Sequence, residues 1–280
     1  MKIAKTFILL LSFILTVFII GCDKEGVSFG LEVDSGKNNR TMRLISYNIL
    51  EGMKNDRANN YDNFVDWVLE YNPDVLALQE ANGFTQESLE ELAERYGHNY
   101  VVTNRKIGDN YPVAITSKYP IESRRRLTKH VSHGAIFATI EGINFVNLHL
   151  WPQNYWHEQN DNRGTEYRQQ EMKIFLDSTF YKYPNEDKWL LMGDFNARAR
   201  IDSTAHAPNT DYSVHDMVAD AGFYDTVRHL LDPNAYVGSR IDYVYATPSI
   251  LVDVVKAEFI RDDFTAVYSD HPPMLVDFRY

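Results

Sequence analysis

The sequence predicts an α/β protein in which two mixed β-sheets pack face to face and helices cover their outer faces. Three observations carry that reading. About ten short apolar or alternating segments read as strands, too many for one comfortable open sheet. About four segments carry helical spacing, and they fall between strands. Some strand pairs are joined by tight turns and others by helices, so parallel and antiparallel neighbours both occur.

The elements follow in order. Met42–Ile49 (MRLISYNI) is a strand. Tyr61–Asn72 places Phe64, Val65, Val68 and Leu69 at helical spacing, and Pro73 stops it. Asp74–Glu80 (DVLALQE) is a strand. Thr85–Gly97 is a helix with a Thr cap, charged flanks and a terminal glycine. Strands then dominate: Tyr100–Asn104, Val113–Ser117, Ala135–Ile140 and Asn144–Leu150, with Glu141-Gly142-Ile143 marking a tight hairpin. A long helix follows near Thr165 to Tyr181. KWLLMGD (Lys188–Asp194) is a strand and Ser213–Gly222 a short helix. Ile241–Ala246, Val252–Ile260 and Met274–Tyr280 complete the strands.

The first residues read as a targeting segment rather than part of the fold. Met1 to Lys5 carries two lysines and no acid, and Phe7 to Ile20 is an unbroken apolar or hydroxyl run, short for a membrane span. The run closes on FIIGC, which resembles the lipobox of bacterial lipoproteins. Cys22 is the single cysteine, so no disulfide framework explains it. The expected organisation is a signal over residues 1–21, a lipidated Cys22, a polar tether over residues 22–40 and one domain over residues 41–280. A tether of that length spans on the order of 20–25 Å. The expected location is the exported, membrane-anchored face of a bacterial cell. Loss of Lys2 and Lys5 takes the formal net charge from -11 to -13. A surface this acidic repels nucleic acid and anionic membranes at long range, but it allows a cleft made locally positive by metal ions.

Chemistry-bearing residues gather at the strand ends. Asn48 ends the first strand and Glu80 the second. His149 lies near the end of NFVNLHL. Asp194 and Asn196 follow LLMG. Asp242 opens a strand, and Asp270 and His271 precede the last one. Each alone has an ordinary explanation as a turn former, a cap or a satisfied histidine. A carboxylate directly after an apolar strand, as at Glu80, is costly unless paired or metal-bound. Together the set offers oxygen donors suited to a hard divalent ion and acid–base groups suited to phosphoryl transfer. The chain has no glycine-rich phosphate loop and no serine-centred elbow.

SYNI, LALQE, VNLHL, GDFNA, RIDYVY and SDHPP occur in that order from Met42 to the C-terminus. In this the chain resembles the endonuclease/exonuclease/phosphatase superfamily, with the deoxyribonuclease-I-like fold. The resemblance implies a four-layer α/β/β/α sandwich and a metal-dependent phosphoric ester hydrolase using Mg²⁺, with Mn²⁺ as an alternative. It implies Glu80 as the main metal ligand, with Asn48 and Asp270 nearby. Asp194 would orient or deprotonate the attacking water, and Asn196 would bond the phosphate. His271, oriented by Asp242, would donate to a phosphate oxygen, and His149 would do similar work on the other side. Some members support that first histidine with a carboxylate; Asp109 and Glu51 are the candidates here.

The substrate is less legible. Trp151, Tyr155 and Trp156 sit where a substrate wall is expected, stacking on a base, a sugar or a lipid headgroup, or simply anchoring a loop. Arg163 and Arg168 either meet phosphate or lie on a solvated helix face. Arg124–Arg126 with Lys129 and His130 is the one basic cluster, read as a solvated edge or a guide for a phosphorylated ligand. A phosphorylated small molecule or phospholipid-type headgroup is the favoured substrate. DNA or RNA comes second, and a catalytically inactive binding module of the same fold third. The expected protein is a monomer.

Overall fold

Among the described residues, twelve strands divide equally between two sheets. The computed structural model describes residues 40–152, 163–232 and 235–280. The strands are β1 (Thr41–Asn48), β2 (Val75–Gln79), β3 (Tyr100–Thr103), β4 (Ala114–Ser117), β5 (Glu122–Leu127), β6 (Gly134–Ile140), β7 (Ile143–His149), β8 (Trp189–Asp194), β9 (Tyr224–Asp225), β10 (Asp242–Ala246), β11 (Val254–Phe259) and β12 (Met274–Arg279). The helices are α1 (Leu50–Met53), α2 (Asp62–Tyr71), α3 (Gln86–Glu94), α4 (Arg163–Ser178), α5 (Ser213–Asp220), α6 (Thr226–Leu230), α7 (Pro248–Leu251) and α8 (Asp263–Tyr268). No helix among the described residues is long and apolar enough to cross a membrane.

One sheet runs β11-β12-β1-β2-β4-β3 and the other β5-β6-β7-β8-β10-β9. Each contains one parallel pair, β1 with β2 and β7 with β8. A parallel pair needs a long crossover, and α2 and α4 lie on those two connections. The turn between β6 and β7 places Glu141 at φ 51° and Gly142 at φ 77°, the left-handed pair of a tight hairpin.

Strand alternation builds the layers. Met42 and Leu44 of β1 point into the space between the sheets, where they meet Ala77, Ile136, Phe145, Met192, Val244 and Val276. Ile45 and Tyr47 point the other way, onto Phe64 and Val68 of α2 and Leu89 and Leu92 of α3. On the second sheet Val146, Leu148, Leu191, Tyr243 and Tyr245 face Met172 and Phe175 of α4 and Val214 and Val218 of α5. Three apolar layers between four layers of structure make the α/β/β/α sandwich.

Two strands carry no strand pattern in the sequence. β5 contains Arg124–Arg126 and lies at the edge of its sheet, where cations discourage pairing with another chain. Arg124 covers the rings of Phe137 and Tyr183, so its charge masks a packing role. β9 is two residues long. In α2 Phe64, Val65 and Val68 are buried as the spacing suggests; Trp67 is buried with them, and Leu69 is half exposed. The long helix begins at Arg163 and ends at Ser178, and Phe180–Lys182 forms a separate 3₁₀ turn.

Candidate active site

The site forms where the inter-sheet rows of four strands reach one rim. Residues 42, 44, 46 and 48 of β1 share a face, as do 143, 145, 147 and 149 of β7, 190, 192 and 194 of β8, and 242, 244 and 246 of β10. Each row is apolar in its middle and ends in Asn48, His149, Asp194 or Asp242. Register sets three of these abreast, because His149 pairs with Asp194 and Asp194 with Asp242. One step deeper, β1 and β7 carry the neutral polar residues Ser46 and Asn147, and Gln79 of β2 joins them. Gln79 Nε2 donates to Asn147 Oδ1 at 2.7 Å and to Ser46 Oγ at 3.2 Å. Asn147 Nδ2 returns to the carbonyls of Leu78 and Ala114 at 2.9 and 2.8 Å. This buried network ties the sheets together beneath the site.

Asn48 spans the gap between the sheets. Its Nδ2 donates to Glu80 Oε1 and to Asp194 Oδ2, both at 3.1 Å. Glu80 follows the last residue of β2 at φ 56°, and its Oε2 accepts the Glu51 N–H at 2.9 Å. The turn supplying that N–H depends on Gly52. At φ 72° its backbone passes so close to Asn82 that a Cβ would lie 2.0 Å from the Asn82 carbonyl oxygen. Asp194 Oδ1 accepts the Asn196 N–H at 2.8 Å, and Asn196, at φ 47°, donates Nδ2 to Leu150 O at 3.1 Å.

His271 enters from the loop before β12. Ser269 Oγ donates to Asn48 O at 2.7 Å and accepts the His271 N–H at 3.1 Å, which fastens that loop to the end of β1. His271 Nδ1 lies 2.8 Å from Asp242 Oδ2 and 3.9 Å from Asp194 Oδ2. Burial opposes charge on this imidazole, but Asp242, Asp194 and Asp270 outweigh it and push its pKa up to about 10. It is an imidazolium at neutral pH. Asp194 is driven the other way: burial and the neighbouring Asp242 raise its pKa, against His271 and the N–H donors of Asn196 and Asn48. A buried carboxylate with raised basicity is suited to accept a proton.

His149 is buried, and its Nε2 lies 3.6 Å from Asp194 Oδ2. Burial, then the proximity of His133 and His271, holds its pKa well below the usual range. Neither suggested carboxylate supports it. Asp109 Oδ2 accepts the Gly83 N–H at 2.7 Å, and Glu51 pairs with Lys54 at 2.9 Å. Each is held by these other donors. His149 instead stacks on His133, ring centroids 4.2 Å apart and 25° between planes. His133 Nδ1 lies 2.9 Å from Asn110 O. A carbonyl only accepts, so Nδ1 carries the hydrogen there. His133 is absent from the motif reading, yet the Glu141-Gly142 turn fixes the hairpin register and sets Gly134 opposite His149. The residue before Gly134 therefore falls at the rim.

Asp270 is largely exposed and comes within 3.9 Å of His271 Nε2 through Oδ1. Trp151 donates its N–H to Glu171 Oε2 at 2.8 Å and packs its ring 5.4 Å from Tyr167. Of the two readings offered for Arg168, the solvated helix face does not hold, because the residue is buried. Tyr155, Trp156, Cys22 and the Arg163 side chain lie outside the described residues.

The donor set fits a hard divalent cation. Asp194, Asp242 and Asp270 surround one imidazolium, and no cationic side chain among the described residues pairs with Glu80. Carboxylate excess of this kind calls for a cation. Asp194, Asp242 and His271 place one ligand-type atom each within 4.8 Å of one another. However, His271 Nδ1 is committed to Asp242, so this trio reads as an acid–base network. Glu80, with Asn48 beside it, is the better oxygen site.

Comparison with known proteins agrees with the geometry. Residues 45–271 match the model of the Endonuclease/Exonuclease/phosphatase family. Among curated proteins nothing matches. Among solved structures, an AP endonuclease from Archaeoglobus fulgidus is 21% identical with a TM-score of 0.64, covering 85% of this chain and 99% of its own. The 3'-5' exonuclease NExo from Neisseria meningitidis is 20% identical with a TM-score of 0.65, covering 85% and 100%. An endonuclease/exonuclease/phosphatase from Beutenbergia cavernae is 18% identical with a TM-score of 0.61, covering 86% and 72%. The chain belongs to the endonuclease/exonuclease/phosphatase family, whose members are phosphoester hydrolases that generally use a divalent metal ion.

Proposed function

We propose that the protein is a Mg²⁺-dependent hydrolase that cleaves phosphate esters by in-line attack of water. One observation carries the reading: the buried Asp194 carboxylate sits where Asn48, His149 and His271 converge. In this scheme Asp194 takes the proton of the attacking water. The His271 imidazolium donates to a phosphoryl oxygen, with Asp242 holding its ring. Neutral His149 donates from the opposite side. Asn196 gives one amide hydrogen to Leu150 O and keeps the second for the phosphate. Glu80, Asn48 and Asp270 would hold the metal ion, which supplies charge neutralisation at the phosphoryl group; Mn²⁺ would serve in its place.

The favoured substrate is a small phosphorylated molecule or a phospholipid-type headgroup, because the chain's negative charge opposes a polyanion. A nuclease is the second reading, favoured by similarity to an AP endonuclease and a 3'-5' exonuclease. A panel of plasmid DNA, RNA, sphingomyelin, inositol phosphates and chromogenic mono- and diesters, with Mg²⁺ and with EDTA, separates the two. DNA cleavage far above the small esters reverses the ranking, and no hydrolysis of any member defeats the proposal. His271→Ala and Asp194→Ala each lose about 10²–10⁴-fold in kcat while staying folded; turnover like wild type in either removes these roles.

Export and anchoring through a lipidated Cys22 belong to the same proposal. The support is the apolar run that ends at the chain's single cysteine. Cys22→Ala shifts the protein from the membrane to the soluble fraction; unchanged membrane association contradicts the anchor.

A further inference from the structure

A second polar recess lies beside the catalytic carboxylates. It is a cleft of about 160 Å³ lined by Thr165 and Arg168 of α4, Ala197 and Arg198 after β8, and Thr210 and Asp211 before α5. Arg168 is 7% exposed. Its Nη1 donates to the carbonyls of Trp151 and Pro152 at 3.3 and 3.1 Å, and its Nη2 to Thr165 Oγ1 at 3.1 Å. Its Nε is buried with no acceptor among the described residues.

Asp211, Glu171 and Asp194 lie close enough to act on the charge of this guanidinium, but among the described residues none of them forms an ion pair with it. Asp211 Oδ1 accepts the Ser213 N–H at 2.9 Å. Glu171 accepts the Ser132 N–H and hydroxyl, both at 2.6 Å, and the Trp151 N–H at 2.8 Å. Arg198 donates Nε to Ser239 Oγ at 3.0 Å, and no carboxylate among the described residues pairs with it. A buried guanidinium with an open donor is costly unless an anion completes it. Arginine presents a planar fork that matches phosphate, and threonine hydroxyls add neutral donors.

The recess is coupled to the catalytic phosphate position by three consecutive carbonyls. Asn196 Nδ2 bonds Leu150 O, and Arg168 Nη1 bonds the next two, Trp151 O and Pro152 O. Ala197 lines the cleft and follows Asn196 directly.

We propose that this recess is an anion subsite for a second phosphoryl group of the substrate, adjacent to the one undergoing hydrolysis. The proposal rests on the phosphoester reading of the main site and narrows it. The preferred substrate carries two phosphoryl groups separated by a sugar or polyol of similar size, and neither an isolated monoester nor a neutral-headed diester fills both positions.

The test uses the purified full chain with Mg²⁺ and two matched esters: thymidine 5'-(p-nitrophenyl phosphate) and the same compound phosphorylated at the 3' hydroxyl. The second phosphate raises kcat/KM by about tenfold through charge-assisted hydrogen bonds. Arg198→Ala and Arg168→Lys each bring that ratio toward one; the lysine variant keeps the buried charge while losing the fork. Equal loss on both esters shows a structural role and overturns the subsite. Calorimetry with thymidine 3',5'-bisphosphate and thymidine 5'-monophosphate gives a readout without turnover. The bisphosphate binds about tenfold tighter to wild type and loses that advantage in Arg198→Ala. Equal affinities overturn the subsite even where the esters are hydrolysed. No hydrolysis alongside a preference for the bisphosphate rejects the hydrolase and retains the subsite. Repeating the comparison with 5'-phosphorylated and unphosphorylated dithymidylate, and with inositol bis- and monophosphates, assigns the source of the second phosphate. A preference in either pair supports the subsite, and indifference in both overturns it.

Discussion

His271 Nδ1 and Asp242 Oδ2, 2.8 Å apart, join the two sheets across the rim of the candidate site. Asp242 opens β10 in one sheet, and His271 precedes β12 in the other. The pair therefore fixes both the orientation of the His271 ring and the spacing of the walls.

Asp242→Asn preserves shape and removes the charge that outweighs burial at His271. With Asp242 present, His271 holds its proton up to about pH 10, so the acid form persists through neutrality and is lost as pH rises through that value. In the variant, the alkaline limb of the kcat/KM profile moves down toward neutral pH, and kcat at pH 7 falls about 10²–10⁴-fold. A pH–rate profile checks both. An unchanged alkaline limb would remove His271 as the acid.

The apolar centres of β1, β7, β8 and β10 made the core strands readable, and the polar residues ending them were readable because burial makes such positions costly. Their convergence came from the ordered motifs. Register then explains it: His149, Asp194 and Asp242 are direct neighbours. What escaped has physical reasons. β5 reads as a charged run because edge strands need no apolar face. His133 reaches the site through hairpin register, a relation between segments. Arg168 is polar in sequence and buried in the fold, with its bonds going to loop carbonyls that no periodicity reveals.

Glu80→Gln tests the metal site. The amide keeps the side chain's shape and removes the negative charge facing the cation, but its single oxygen accepts only one of the two bonds that Asn48 Nδ2 and the Glu51 N–H donate to the carboxylate. The expected result is abolition of wild-type activity by EDTA, recovery with Mg²⁺, and a half-activating Mg²⁺ concentration raised about tenfold or more in the variant. Metal titrations of initial rate measure it. Full activity of wild type in EDTA contradicts the metal requirement.

His98 gives a pH dependence of stability outside the site. Its Nδ1 lies 2.7 Å from Thr116 Oγ1 and its Nε2 2.9 Å from Pro73 O. Burial pushes its pKa down to about 4, from an ordinary 6.5. The folded state thus prefers neutral imidazole, and its contribution is fully present above pH 6.5. As pH falls from 6.5 toward 4 the unfolded chain gains the proton first, and stability declines by about 1.4 kcal/mol per unit. Urea titrations of wild type and His98→Gln at pH 7 and pH 5 isolate the effect. The variant shows the smaller acid loss; equal losses exclude His98 as the source.

Gly193→Ala probes the approach of strands that places Asp194. Gly193 lies at φ 134° in β8 opposite Leu148 of β7, and an added Cβ would stand 1.9 Å from the Leu148 carbonyl oxygen. Both atoms belong to backbone, so neither can rotate away. The strands must separate one residue before Asp194, or the ladder must shift there. The expected cost is about 2–4 kcal/mol in chemical denaturation. Any folded fraction has a larger fall in kcat than in ester affinity, because His149 and Asp194 are the next pair in register and their separation sets the catalytic geometry. A variant with wild-type stability and turnover would show that β7 and β8 can part without disturbing the site.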